Sequence, residues 1–163
     1  MKYTVPETAC IGHTHLKVSD LEKSLAFYRD ILGFQVTQYF GTSAVFLSAG
    51  GYHHHIGLNT WHSKNARPAP VNTCGLYHMA ILYRARNELA LVLQQLITAK
   101  YPLTGAADHG VSEALYMNDP DGNGVELYWD RPKEQWPYNP DGSIEMYTKR
   151  LDVDDLLNEL NNK

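Results

Sequence analysis

Residues 11–32, IGHTHLKVSDLEKSLAFYRDIL, change their hydrophobic period partway along. Up to Val18 polar and apolar side chains alternate, the pattern of a half-buried strand. Ser19-Asp20 then offers an N-cap pair, and Leu21, Leu25, Tyr28 and Leu32 fall on one helical stripe that Gly33 ends. Residues 75–99, GLYHMAILYRARNELALVLQQLITA, repeat the order of strand then helix. Three short strand-like runs follow each unit: 34–40, 43–49 and 54–59 after the first, and roughly 103–107, 113–118 and 124–130 after the second. Asp119-Pro120-Asp121-Gly122 is a strong turn signal between the last two runs. The offset of 65 residues between His13 and His78 marks an internal duplication, two βαβββ modules within one α+β domain. Module one is expected at about 9–60, a Pro-containing linker at 61–73, module two at about 74–131, and a C-terminal extension at 132–163. That extension opens with the aromatic stretch RPKEQWPYNPDG, expected to cover one end of the fold, and carries a last helix from about Asp152 to Leu160.

Bulk properties narrow the function classes. At 163 residues the chain is long enough to bury a sizeable core, and 44% apolar with 20% charged residues is ordinary globular material. A formal net charge of −4 gives no electrostatic reason to expect nucleic acid or an anionic membrane as partner. No apolar run reaches bilayer-spanning length, and the N-terminus lacks the apolar stretch of a signal peptide. Cys10 and Cys74 are therefore expected as buried free thiols in a reducing cytoplasm. Histidine is the unusual residue, with eight copies, and imidazole is the commonest metal ligand.

Strand alternation assigns faces to these histidines. His13, His15 and Lys17 share one side of the first strand; His78, Ala80 and Leu82 share one side of the fifth; Gly124, Glu126 and Tyr128 share one side of the eighth. In each strand the opposite face is apolar enough to pack beneath a helix. His13, His78 and Glu126 are thus three ligand-type side chains at related places in a duplicated unit. Two imidazoles and a carboxylate occupy one face of an octahedron in non-haem Fe(II) oxygenases and leave three positions open. Taken singly, each has a plainer reading, a satisfied strand histidine or a solvated glutamate. His15 reads more readily as structural, His62 as a solvated loop residue, and Trp61, Trp129 and Trp136 as core or as an aromatic wall.

The stretches H13THLKVSDLEKSLAFYRDILGF, H78MAIL and D119PDGNGVELYW resemble the vicinal-oxygen-chelate superfamily of glyoxalases, bleomycin-resistance proteins and type I extradiol dioxygenases, over about residues 9–131. The resemblance implies a curved, eight-stranded, half-open mixed barrel around a metal cavity, with helices outside. Within the superfamily the ring-cleaving extradiol enzymes are most similar. They imply His13, His78 and Glu126 as ligands of Fe(II), with Mn(II) as a substitute, and a catechol-like diol and dioxygen as substrates. FLSAGGYHHHIGL (46–58) resembles the stretch that supplies their acid–base histidine. Aligned on Ile56-Gly57-Leu58 it selects His54, whereas strict alternation turns His53 and His55 inward. Asp108-His109-Gly110-Val111-Ser112 resembles the segment of their substrate-side histidine, and Tyr116 stands where they carry an active-site tyrosine.

Two other readings share the fold. A glyoxalase-like isomerase or lyase would use a fourth, acidic ligand near Gly57, which has no side chain; a drug-binding resistance protein would need no metal. Modules of this kind pair within one chain or are exchanged between the chains of a homodimer, and both arrangements stay open at this level.

Overall fold

The computed structural model describes residues 2–161. Nine strands and three α-helices follow in the order β1 (Thr14–Lys17), α1 (Leu21–Tyr28), β2 (Gln35–Phe40), β3 (Ala44–Ser48), β4 (Ile56–Asn59), β5 (Met79–Tyr83), α2 (Arg86–Thr98), β6 (Gly105–Asp108), β7 (Ser112–Asn118), β8 (Gly124–Asp130), β9 (Lys149–Arg150) and α3 (Val153–Asn158). They form two mixed sheets, ordered β1-β4-β3-β2 and β5-β8-β7-β6-β9. Each sheet has one parallel pair, β1 with β4 and β5 with β8, because the helix carries the chain across before three strands return antiparallel. The fold is α+β with curved sheets and no closed barrel among the described residues.

Both modules drain into one core. Leu16, Leu25 and Leu58 of the first and Leu93, Leu115 and Leu127 of the second belong to a single cluster of buried side chains. The α1 stripe reaches that core through Leu25 and Tyr28, while Leu32 lies beyond the helix end and is still buried. Gly33 follows with φ +82°, the left-handed conformation that ends the turn at no Cβ penalty.

Ser19 and Asp20 divide the work expected of a single cap. The Asp20 carboxylate accepts from the Lys23 N–H and caps α1. Ser19 donates through its N–H and its hydroxyl to the carboxylate of Asp121, 102 residues away in the turn before β8. That turn is also held by the Lys23 ammonium, which donates to the Pro120 carbonyl, and by the buried Tyr28 hydroxyl, which donates to Asp119 at 3.0 Å. Burial and the adjacent Asp119 charge push the Tyr28 phenol far above its ordinary pKa.

The aromatic stretch expected to cover one end is only partly packed. Trp136 is half-buried, its indole N–H donating to the Arg131 carbonyl at 2.7 Å, while Tyr138 is 53% exposed. The chain then returns as β9, a strand with no sequence signal, pairing antiparallel with β6 through Ala107–Arg150 and Asp108–Lys149. Leu151 and Leu156 enter the core behind it. Arg86 on α2 holds α3 through Asp155 and Glu159 and meets the buried Glu113, which also pairs with Arg131.

The cysteines correct the sequence reading. Cys10 and Cys74 are free but exposed. Both lie ahead of the apolar strands, in segments without regular structure, so no sheet face covers them.

Candidate active site

The expected site residues fall into two groups, one in each module. In module two, β5 and β8 run parallel with Ala80 opposite Glu126. His78 precedes β5, and its Nε2 lies 3.0 Å from Glu126 Oε2, with the two side chains 32% and 13% exposed. The contact is a hydrogen bond when Nε2 carries its proton; when it does not, two lone pairs face each other as two ligands of one cation would. Gly124 makes this approach sterically possible: a Cβ there would collide with the Tyr77 carbonyl and stand 3.0 Å from His78 Cβ.

Tyr116, on β7 opposite Glu126, continues the chain of contacts. Its hydroxyl lies 2.9 Å from Glu126 Oε1 and 2.7 Å from His109 Nε2, and its one proton can be donated to either. Burial, then the bond to Glu126, raises the Tyr116 phenol well above its usual value, so it is a donor throughout the neutral range.

In module one, His13 and His54 pack ring against ring, with centroids 4.4 Å apart, and Phe46 closes on His54 at 4.9 Å. The triplet lies before β4, so strand alternation does not govern it. A bulge between Val36 and Gln38 puts the Thr37 hydroxyl 2.9 Å from the His53 carbonyl. His53 and His54 meet through their Nδ1 atoms at 2.7 Å. His55 turns the other way: its Nδ1 accepts from the Ala49 N–H and lies 3.0 Å from the Ser48 hydroxyl. Partial burial, followed by the neighbouring His13 and His53, lowers the His54 pKa and keeps its imidazole neutral to a lower pH than usual.

His15 is exposed and packs against Phe46 and Trp61 with centroid separations of 5.8 and 5.6 Å. It stands opposite Gly57, where any Cβ would lie 2.9 Å from the ring. With His15 opposite Gly57 as Ala80 is opposite Glu126, Gly57 is the module-one counterpart of Glu126. His62 is exposed.

A metal held by a 2-His-1-carboxylate set needs all three donors around one point. His78 and Glu126 fit: neighbouring donors of an octahedral centre with bonds of about 2.1 Å stand about 3.0 Å apart. His13 lies with His54 instead, and among the described residues no three His, Cys, Asp or Glu side chains converge closely enough to hold an ion. The physical reason is topological. β1 and β5 are the edges of separate sheets, and no ladder of hydrogen bonds joins them.

Three further groups were not picked out as functional in the sequence. Thr37 gave no signal because its role depends on a bulge. Gly124 carried a faint one, a glycine next to a proposed ligand strand. Tyr147 gave none: its carbonyl lies 2.9 Å from His109 Nδ1, across 38 residues of chain.

Residues 10–127 match the sequence profile of the Glyoxalase/Bleomycin resistance protein/Dioxygenase superfamily, and the chain belongs to that superfamily. It is 40% identical over 156 residues to a Bacillus subtilis (strain 168) protein named catechol-2,3-dioxygenase, which covers 96% of this chain and 54% of the relative. The chain therefore spans about half the length of that relative. Biphenyl-2,3-diol 1,2-dioxygenase 3 of Rhodococcus globerulus is 30% identical over 134 residues, 80% of this chain and 70% of the relative. Among solved structures, a glyoxalase/dioxygenase from Nostoc punctiforme superposes with TM-score 0.63 at 17% identity, covering 81% of this chain and 99% of its own. Lactoylglutathione lyase from Agrobacterium tumefaciens gives 0.58 at 22%, covering 77% and 96%. At these identities the structures establish the fold alone. No helix of the described residues is long and apolar enough to cross a membrane.

Proposed function

We propose that this chain is a metal-dependent extradiol dioxygenase that opens a catechol-like ring with dioxygen in the cytoplasm. The observation that carries the reading is the continuous contact chain His78–Glu126–Tyr116–His109, a donor pair backed by two polar groups on one sheet. Relatives whose names specify cleavage of catechol and biphenyl-2,3-diol support it. His78, Glu126 and His13 would hold the metal, with the His13 half brought to the other by closure of the two sheets or by a second copy. Bound there, Fe(II) or Mn(II) would supply Lewis acidity that lowers the pKa of the diol hydroxyls and a centre where diol and dioxygen meet.

The remaining chemistry belongs to the side chains. His54, neutral and with His53 engaging its Nδ1, presents Nε2 to accept the proton of a diol hydroxyl and to return it later. Tyr116 has one proton, which it would turn from Glu126 or His109 Nε2 toward a substrate oxygen. Phe46, His15 and Trp61 offer flat faces to one side of a ring. The isomerase alternative is weaker, because the counterpart of Glu126 in module one is Gly57 and supplies no fourth ligand.

Anaerobic reconstitution with Fe(II), followed by a panel of catechols, tests this. Oxygen uptake together with a yellow ring-opened product is the expected result. Metal binding without uptake on any diol overturns it. Single replacement of His13, His78 or Glu126 by Ala should strip most of the metal; full occupancy in His13→Ala would limit the centre to module two.

A further inference from the structure

We propose that the C-terminal extension is a working part of the site: the main-chain carbonyl of Tyr147 fixes His109 with its proton on Nδ1 and turns Nε2 toward Tyr116. This assignment rests on the proposed role of His109 in the reaction, and extends it to a segment that lies beyond the matched superfamily profile, which ends at residue 127.

The tautomer follows from hydrogen-bond valence. His109 Nδ1 lies 2.9 Å from the Tyr147 carbonyl oxygen, which only accepts, so Nδ1 must donate. The Thr148 hydroxyl at 3.2 Å is a longer contact and can rotate to accept from the same N–H. Nε2, 2.7 Å from the Tyr116 hydroxyl, is left on the neutral ring as an acceptor facing the site, and takes the one phenolic proton in place of Glu126 Oε1. An imidazole without this partner would exchange tautomers and rotate, and the orientation of the other nitrogen is set by such a bond.

The carbonyl is itself held from several directions. Next to it, β9 pairs with β6 at Asp108–Lys149, one residue from His109. The Tyr147 N–H donates back to the His109 carbonyl at 3.3 Å, and the His109 N–H donates to Ser112 at 2.9 Å. The Tyr147 ring lies against Gly110, where a Cβ would stand 2.7 Å from Tyr147 Cε1 and 2.9 Å from Pro137 Cγ. Gly110 also has φ +79°, so the loop closes under the extension only because this residue lacks a side chain. Farther on, Leu151 and Leu156 anchor the segment in the core. Tyr147 is thus a positioning residue, acting through His109.

Nitrogen-15 spectra of the metal-free 163-residue chain labelled at histidine read the tautomer directly, with His109→Phe assigning the signal among eight rings. A protonated Nδ1 at His109 is expected; an unprotonated Nδ1 overturns the proposal. Thr148→Val should leave Nδ1 protonated, and loss of that proton would show that the hydroxyl, not the carbonyl, is responsible. Gly110→Ala pushes the Tyr147 ring away, and ring opening should fall about ten- to a hundred-fold in kcat, with KM within about twofold, as expected for misplacement by a fraction of an ångström. In a His109→Phe background the same change should have no further effect, whereas an equal fall in both backgrounds means the extension acts as general support. If no diol is turned over, the spectra still decide the tautomer, so failure of the dioxygenase reading and failure of this one are distinguishable.

Discussion

Replacing Tyr28 by Phe removes one oxygen atom and no carbon from a side chain that is fully buried. The loss is therefore a hydrogen bond without a cavity. Its partner, Asp119, is 4% exposed, and the bond spans 3.0 Å between modules. Asp119 keeps its other donors, the N–H groups of Asp121 and Asn123 and the Asn123 side-chain amide, so its charge is not orphaned. A bond to a charged group contributes about 1.5–3 kcal/mol, and with the remaining donors in place the lower part, about 1.5–2 kcal/mol, applies. For a chain of this length that corresponds to a fall of about 3–8 °C in Tm. Urea unfolding followed by tryptophan fluorescence gives the free energy, and an unchanged slope is required for the comparison to hold. The double replacement Tyr28→Phe with Asp119→Asn should show a coupling of about 1 kcal/mol or more, because the two groups share one bond. A loss below about 0.5 kcal/mol, or additive effects, would refute the claim that the turn before β8 is locked onto α1.

Other consequences follow from the same geometry. His54→Phe should keep the metal and lower ring opening by about a hundred- to ten-thousand-fold, the usual worth of a positioned acid–base group, while His55→Phe, which loses contacts to Ser48 and Ala49, should act on stability; the reverse ranking in oxygen uptake would hand the proton role to His55. Gly124→Ala should displace Tyr77 and His78 and lose metal on dialysis although no ligand is changed, and full elemental occupancy would contradict it. Glu113→Ala should destabilise by about 1.5–3 kcal/mol in urea unfolding, because Arg86 and Arg131 lose their common buried partner but keep Asp155, Glu159 and Asp108; no loss would refute it. Trypsin should spare Arg131 and Lys133 in the native protein, since the Arg131 N–H donates to the Val111 carbonyl at 2.8 Å; rapid cleavage there with activity retained would make the extension dispensable.

The sequence by itself determined the fold class and the duplication, since both are written in local periodicity. Alternation up to Val18, a cap at Asp20 and a stripe from Leu21 to Tyr28 need no distant partner to be read, and the same order recurs from residue 75. The relation of Gly57 to Glu126 came from the strand registers, since the two lie 69 residues apart and not the 65 of the duplication. Tertiary structure alone decided whatever depends on groups far apart in the chain. It gave Ser19 to Asp121 instead of to its own helix, and it exposed the two thiols by leaving their segments outside the sheets. The histidine triplet fell just before β4, outside its alternating pattern, and His54 packs against His13. Two residues, Lys149 and Arg150, became a strand only because β6 left an edge for them, and that pairing brought the Tyr147 carbonyl to His109. Main-chain carbonyls are identical in every residue, so nothing in the one-dimensional pattern marks the one that orients a side chain 38 positions away.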